Sequence, residues 1–447
     1  MTCIGSWRER AKVILQQFGL APFRQLLTPT DFVAVAGATG CAPKRQRPLR
    51  PEVVVWLMAL TALETTSMTQ GLSQAWGLLA LACGVRIAVV TEEAFAQARN
   101  ALPLSFWRCL WACVRLKYER LHRDQLLWKG LRVLACDGTE ADVPNVPALV
   151  KFFTRPKTKL GESKAPQGRL VAVCSVFTGF CMDFVFASRR CSEHLALQHL
   201  IRHFRANDLI LLDRGFFSYK AIHHMRLRQA HFLLRLQANM ERCARRVQTL
   251  GPDDWLVEFR PSACLRREQP DLPAVFICRL IRYQLQGYRP SWLLTSLLDP
   301  QAFPMAELVR LYHFRWRIET IYREWKHGLD IQNLRSHTPA GIIKEMHAQL
   351  LLSNLVRWVM TEAAKGTGKT PVEFSFLDAL SAIRDFLRLM VKSQLPFAVL
   401  YQQLLELIRC AVIRQRPGRH FPRPGEGKAK NKGHGKLRLP AALPALT

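Results

Sequence analysis

Two acidic residues stand where apolar runs stop. Cys136-Asp137-Gly138-Thr139 closes the run 131–136, and Leu212-Asp213-Arg214-Gly215 closes the run 208–212. An acid at the end of a buried strand lies at the mouth of an α/β sheet, where such sheets keep their sites. Asp is also common as a turn or cap residue, so neither position decides anything alone. A third acid lies in a helical pattern, in the segment LYHFRWRIETIYREWK at 311–326. At helical period Tyr312, Arg315, Glu319, Arg323 and Lys326 share one stripe, roughly 80° wide. Leu311, Phe314, Ile318, Ile321 and Trp325 share a second stripe about 120° away. One face then packs inward, and its neighbour carries one carboxylate among cations and a tyrosine. Arg315 four residues before Glu319 also fits a solvated salt-bridge helix. That alternative leaves Tyr312, and Trp316 beside the stripe, without a reason.

Asp137, Asp213 and Glu319 together would make a carboxylate triad. Hard oxygen donors suit Mg2+ or Mn2+, which keep waters and accept phosphate oxygens. Two such ions about 3.5–4 Å apart clamp the attacking and leaving oxygens of a phosphodiester. Cations on the same helix would hold the strand being cut.

The elements that must position these residues follow from patterning. Region 1–128 reads as helical, with apolar residues at helical spacing through 7–18, 53–63 and 105–121. A basic connector, KRQRPLR at 44–50, joins two of these helices. From 129 to 236 strands and helices alternate: strands over 131–136, 170–177, 182–187, 208–212 and 231–236, and helices over 192–204 and 218–227. Ser192 reads as an N-cap, and Thr178-Gly179 as a hairpin turn. Region 237–291 reads as a small β-rich insertion. Region 292–362 returns to the main domain with a strand at 292–298, a long helix at 305–329 and another at 342–362. Region 363–413 is helical, and 414–447 is a basic tail expected to be disordered and to cling to nucleic acid.

Charge narrows the partners. The 447 residues hold 64 Lys+Arg against 34 Asp+Glu, a net charge of +30. A phosphate backbone is the natural counter-charge. With 49% apolar residues, the chain is no disordered polyelectrolyte. The most apolar windows, 53–63 and 75–85, fall short of the roughly 20 residues a membrane span needs, and the N-terminus has charges where a signal peptide needs an apolar stretch. The expectation is a cytoplasmic, nucleoid-associated protein with no membrane partner. The 13 cysteines form no C-x-x-C pair, so they read as reduced thiols rather than zinc ligands.

Other signals point to no further site. Gly366-Thr-Gly-Lys-Thr370 resembles a phosphate loop, but Ala363 stands where that motif needs Gly. His194, His223 and His224 have no partner at metal-ligand spacing. Asp142 follows no apolar strand, and Glu324 points elsewhere on the wheel than Glu319 and reads as solvated.

The motifs together resemble the DDE transposases of bacterial insertion sequences, in the group with the Y-x2-R-x3-E-x6-K signature. Tyr312, Arg315, Glu319 and Lys326 fit that spacing at all four positions. The segments DGT at Asp137, DRGF at Asp213 and WLLTS at 292–296 look like the family's, and the match runs over about 130–360. The resemblance implies an α/β, ribonuclease-H-like catalytic domain with a β-rich insertion, flanked by an N-terminal helical DNA-binding domain and a C-terminal helical region for dimerisation or end binding. It implies Asp137, Asp213 and Glu319 as ligands of two Mg2+ (or Mn2+) ions. It implies cut-and-paste transposition by strand cleavage and strand transfer through a hairpin intermediate. Tyr312, Arg315 and Lys326 would contact DNA phosphates, with Arg323 on the same stripe. Trp292 would stack on an extruded base, as the unstacking at a hairpin bend requires, with Trp316 beside it. Either tryptophan could equally be an ordinary core aromatic. The partners would be double-stranded DNA, as terminal inverted repeats and as target, and a second copy of the chain in a synaptic homodimer. The rivals are a nuclease of the same fold without strand transfer and a catalytically silent, transposase-derived DNA-binding protein.

Overall fold

A computed structural model describes residues 26–42, 49–63, 68–83, 90–158, 161–237, 239–285, 289–393 and 395–413. The helix expected at 7–18, most of the 44–50 connector and the basic tail lie outside the described residues.

Nine strands carry the architecture: β1 Leu131–Asp142, β2 Gln167–Ser175, β3 Cys181–Ser188, β4 Asp208–Leu212, β5 His231–Leu236, β6 Arg245–Gly251, β7 Asp254–Phe259, β8 Phe276–Tyr283 and β9 Ser291–Thr295. They join one sheet in the order β3-β2-β1-β4-β5-β9-β8-β7-β6. β1, β2 and β3 are antiparallel neighbours. β4 runs parallel to both β1 and β5. Every residue of β4 is buried, as the run Asp208-Leu-Ile-Leu-Leu212 requires of a strand covered on both faces. Parallel neighbours need crossovers. The helices Glu193–Ile201 and Tyr219–Leu227 supply them, started by Ser192, which accepts the Leu195 N–H, and Ser218, which accepts the Ala221 N–H.

The strands of 237–291 extend this same sheet. β9 pairs β5 on one side and β8 on the other, so the segment is joined to the main sheet by continuous ladders. A hairpin turn sits where expected between β2 and β3. Gly179 there has φ +71°, and a Cβ on it would come within 2.6 Å of Arg357 Nε, so glycine is needed for both conformation and space.

The helix Pro339–Ala364 is buried almost all round, which marks a central helix rather than a surface one. It packs on β3 and on the helices Pro51–Leu63, Leu104–Leu121 and Phe397–Cys410. The helix Leu104–Leu121 reaches the sheet directly. Its Trp111 donates to the Met182 carbonyl at 3.0 Å, and Tyr118 stacks on Phe180 with centroids 3.7 Å apart. Among the described residues no helix is long and apolar enough to cross a membrane.

Three expectations fail. The strand read over 131–136 does not stop at Asp137: β1 runs on to Asp142, its pairing with β2 continuing to Asp142↔Gln167, so Asp137 lies within the strand and Asp142 at its end. The helix read as continuous over 305–329 is three pieces: Met305–His313, a 3-10 turn Phe314–Trp316, and Arg317–Gly328. The tighter 3-10 turn advances each residue by about 120° instead of 100°, so Tyr312 leaves the stripe that holds Glu319. Glu324 is not solvated. It faces the buried Arg357 of the central helix and pairs with its guanidinium. Its pKa is raised by burial, which outweighs the attraction of Arg357.

Candidate active site

The parallel register brings the two aspartates together. The last β1–β4 pair is Cys136↔Leu212, so Asp137 and Asp213 follow it side by side. Asp137 continues along β1, opposite Ala172 of β2, and its Oδ1 accepts the Gly138 N–H at 2.8 Å. Asp213 leaves β4 in extended conformation and begins the 3-10 turn Arg214–Phe216, which it does not cap with its side chain. Its charge is felt at Asp137, Arg315 and Glu319.

The helix Arg317–Gly328 and the turn before it bring the third acid. Arg315 is buried and forks: Nη1 donates to Asp137 Oδ2 at 3.0 Å and Nη2 to Glu319 Oε1 at 3.2 Å. The three acids feel one another. Asp137 has a raised pKa, first through burial; Arg315 and the Gly138 N–H oppose the rise and the charge of Asp213 adds to it. Glu319 is raised first by burial, with Asp137 and Asp213 adding to it against Arg315. Burial works against the Arg315 charge, but Tyr312, Asp137, Asp213 and Glu319 raise its pKa overall. Among the described residues no three His, Cys, Asp or Glu side chains stand close enough to form a ready-made metal site. Arg315 lies between Asp137 and Glu319 and offsets part of their charge. The donor set still fits Mg2+ or Mn2+: hard oxygens, partly desolvated, with mutual repulsion that a divalent ion would relieve.

The other expected residues fall differently. Tyr312 is buried, and its hydroxyl donates to the Leu212 carbonyl at 3.1 Å. It braces the end of β4 next to Asp213. Arg323 is exposed and Lys326 half-buried; neither forms an ion pair with any described residue, so both remain available to phosphates. Trp316 is 44% exposed with Arg315 over its ring at 4.9 Å. Trp292 is half-buried, 5.9 Å from Trp255, whose ring carries Arg246 at 4.1 Å.

Three features were not foreseen. Glu193, at the start of its helix, lays its carboxylate on Gly138: a Cβ there would meet Oε1 at 2.4 Å. Gly138 leaves that space open to the flexible end of Glu193, a fourth acid beside Asp137. Nothing in the sequence links positions so far apart. Arg235 and Tyr283, near the ends of β5 and β8, lie within electrostatic reach of Tyr312; the strand at 231–236 is legible in the sequence, but the bounds of β8 and its approach to Tyr312 are not. Tyr322 donates its hydroxyl to the Asp137 carbonyl. Its signal was present, since residues three apart share a helix face and Tyr322 follows Glu319 at that spacing.

Residues 128–355, just over half of the chain, match the family model described as the transposase DDE domain. The chain is 27% identical over 392 residues to "Transposase InsG for insertion sequence element IS4" of Escherichia coli (strain K12), covering 86% of this chain and 87% of that one. It is 25% identical over 178 residues to "Putative transposase InsZ" of the same strain, covering 40% and 58% of the two chains. Among solved structures, a piggyBac transposase synaptic complex with hairpin DNA aligns over 89% of this chain and 86% of that one, at 10% identity and a TM-score of 0.43.

Proposed function

The chain belongs to the DDE transposase family and is similar to the transposases of IS4-type insertion sequences, and from that premise we propose that it cuts and joins DNA at the ends of such an element through Asp137, Asp213 and Glu319. The observation that carries this reading is the register at Cys136↔Leu212, which sets the two aspartates side by side, together with the Arg315 fork that ties Glu319 to Asp137. The strand order, with three antiparallel strands followed by two parallel ones, supports the reading of a ribonuclease-H-like core, which the flanking helices and 237–291 would complete.

Asp137, Asp213 and Glu319 would hold two divalent ions. Bound there, Mg2+ or Mn2+ would lower the pKa of a water and stabilise the leaving 3′ oxygen. Lys326 and Arg323 would take phosphate oxygens on the strand being cut, and Arg315 would reach one only by giving up its pairs with Asp137 and Glu319; charge-assisted contacts of this kind orient as well as bind. Tyr312 would act indirectly, holding the end of β4 through the Leu212 carbonyl rather than reaching DNA from its buried position. Water attacks the phosphodiester at the element boundary and the 3′ oxygen leaves with a proton. That 3′-hydroxyl then attacks the opposite strand, forming one phosphodiester as another breaks, which closes a hairpin. Water reopens the hairpin, and the 3′ ends attack target DNA. Trp292, with Trp316 beside it, would stack on the base that a hairpin bend extrudes. The N-terminal helices would bind the terminal inverted repeat, and two copies of the chain would pair two ends.

The test is cleavage of a labelled duplex carrying the element's terminal repeat, with Mg2+ and with EDTA, on a denaturing gel. A metal-dependent nick at the boundary followed by a hairpin-sized product is expected. Asp137→Ala, Asp213→Ala and Glu319→Ala should each lower the rate by at least about 100-fold while still binding the end, since groups acting as a unit fail together. Nicks at random positions would point to a nuclease without strand transfer. Tight binding without cutting in any metal would point to a silent DNA-binding protein.

A further inference from the structure

We propose that Tyr322 is a positioning residue of this active site: its hydroxyl ties the strand carrying Asp137 to the helix carrying Glu319, so the separation of the two carboxylates is set before metal or DNA arrives. The inference rests on the transposase reading and goes beyond the signature residues.

The geometry is specific. Tyr322 is 5% exposed. Its hydroxyl donates to the Asp137 carbonyl and accepts the Ala172 N–H at 3.1 Å. Asp137 and Ala172 face each other across β1 and β2, so the hydroxyl stands inside the ladder at the rung beside the catalytic carboxylate. A rung supplied by a helix side chain fixes the height of that helix over the strand. The ring is held in turn: it packs edge-on against Trp325 with centroids 5.4 Å apart, and Trp325 Nε1 donates to Ser353 Oγ of the central helix at 2.7 Å.

Arg315 makes the other link between the same two elements, but to the Asp137 side chain. An Arg315 recruited to a DNA phosphate gives up that link. The Tyr322 link goes to backbone and is shielded from DNA, so it persists through the reaction. Misplacement of about 1 Å in such a site costs on the order of 100-fold in rate, and one hydroxyl can govern that much.

Tyr322→Phe keeps the ring and removes the hydroxyl. The readouts are Mn2+ affinity of the full chain without DNA, by electron paramagnetic resonance, and the cleavage rate and Kd on the terminal-repeat duplex. The expected result is Mn2+ binding weakened about tenfold and a cleavage rate lowered at least tenfold, with the DNA Kd unchanged. Tyr118→Phe removes a buried hydroxyl that pairs with Thr361, away from the acids, and should keep wild-type Mn2+ affinity. Wild-type metal binding and cleavage in Tyr322→Phe would overturn the proposal. So would equal loss in Tyr118→Phe, or a Tyr322→Phe chain that fails to fold, because the role would then be general packing. Wild-type protein that neither binds Mn2+ nor cuts would sink the transposase reading itself, a distinct outcome.

Discussion

At the scale of single residues, most of the site is a problem of crowded negative charge. Asp137 and Glu319 both have pKa values raised by burial, against the opposing attraction of Arg315. The folded protein therefore holds their protons more tightly than the unfolded chain does. Their contribution to stability is full below the unfolded carboxylate range and is lost as pH rises through the raised folded values. In EDTA the wild-type melting temperature minus that of Glu319→Gln should be larger in mildly acid buffer than at neutral pH; taking the difference cancels the buried His122 and His347, whose lowered pKa values work the opposite way. A difference between the two proteins that is constant with pH, or grows toward neutral pH, would contradict this. Glycines give a second test, decided by what each would meet. A Cβ on Gly138 meets the end of the flexible Glu193 side chain at 2.4 Å, whereas one on Gly168 meets the Phe186 ring at 2.3 Å. A carboxylate can swing aside and a packed ring cannot. Gly168→Ala should cost about 1–3 kcal/mol and Gly138→Ala less than about 1 kcal/mol, a ranking that urea denaturation reads directly.

At the scale of elements, periodicity found the pieces and packing bent them. The strands over 208–212 and 231–236 match β4 and β5 in both bounds, because short apolar runs between turn residues have few other solutions. The expected continuous signature helix instead breaks at Phe314–Trp316. Around the break Arg315 reaches Asp137 and Tyr312 reaches the end of β4, contacts a wheel of uniform pitch cannot anticipate; the Arg315–Glu319 pair is the one that helical spacing offers. Glu324 shows the same blindness: a charged residue off the signature stripe reads as solvated until its partner, on another helix, is known. With Arg357 removed, Glu324 becomes a buried carboxylate without its partner. Arg357→Ala should cost about 3–5 kcal/mol in urea denaturation, and replacing both residues by apolar ones should recover much of that loss. If Arg357→Ala costs no more than an exposed substitution, the pair carries no structural weight.

At the scale of the whole molecule, the charge of +30 predicts how the protein meets DNA. Each phosphate neutralised releases counterions, so affinity should fall linearly on a log–log plot against salt, with a slope of about −0.9 per phosphate contacted. Removing Lys326 should make the slope shallower by about 1. An affinity indifferent to salt would mean that the excess charge lies away from the DNA.

The sequence by itself determined the chemistry on offer. Residue types at fixed spacing named the acids, the cations of the signature helix, the order of strands and helices, and the family. Those are local properties, carried by apolar runs, turn residues and helical period, and they survive without knowledge of what packs on what. Only the tertiary structure decided which charges meet. Whether Arg315 faces phosphate or acid, whether Glu324 is solvated, what lies against Gly138 and what Tyr322 holds all depend on contacts between residues far apart in the chain. Such contacts are fixed by the close packing of the core, which no pattern along one segment records.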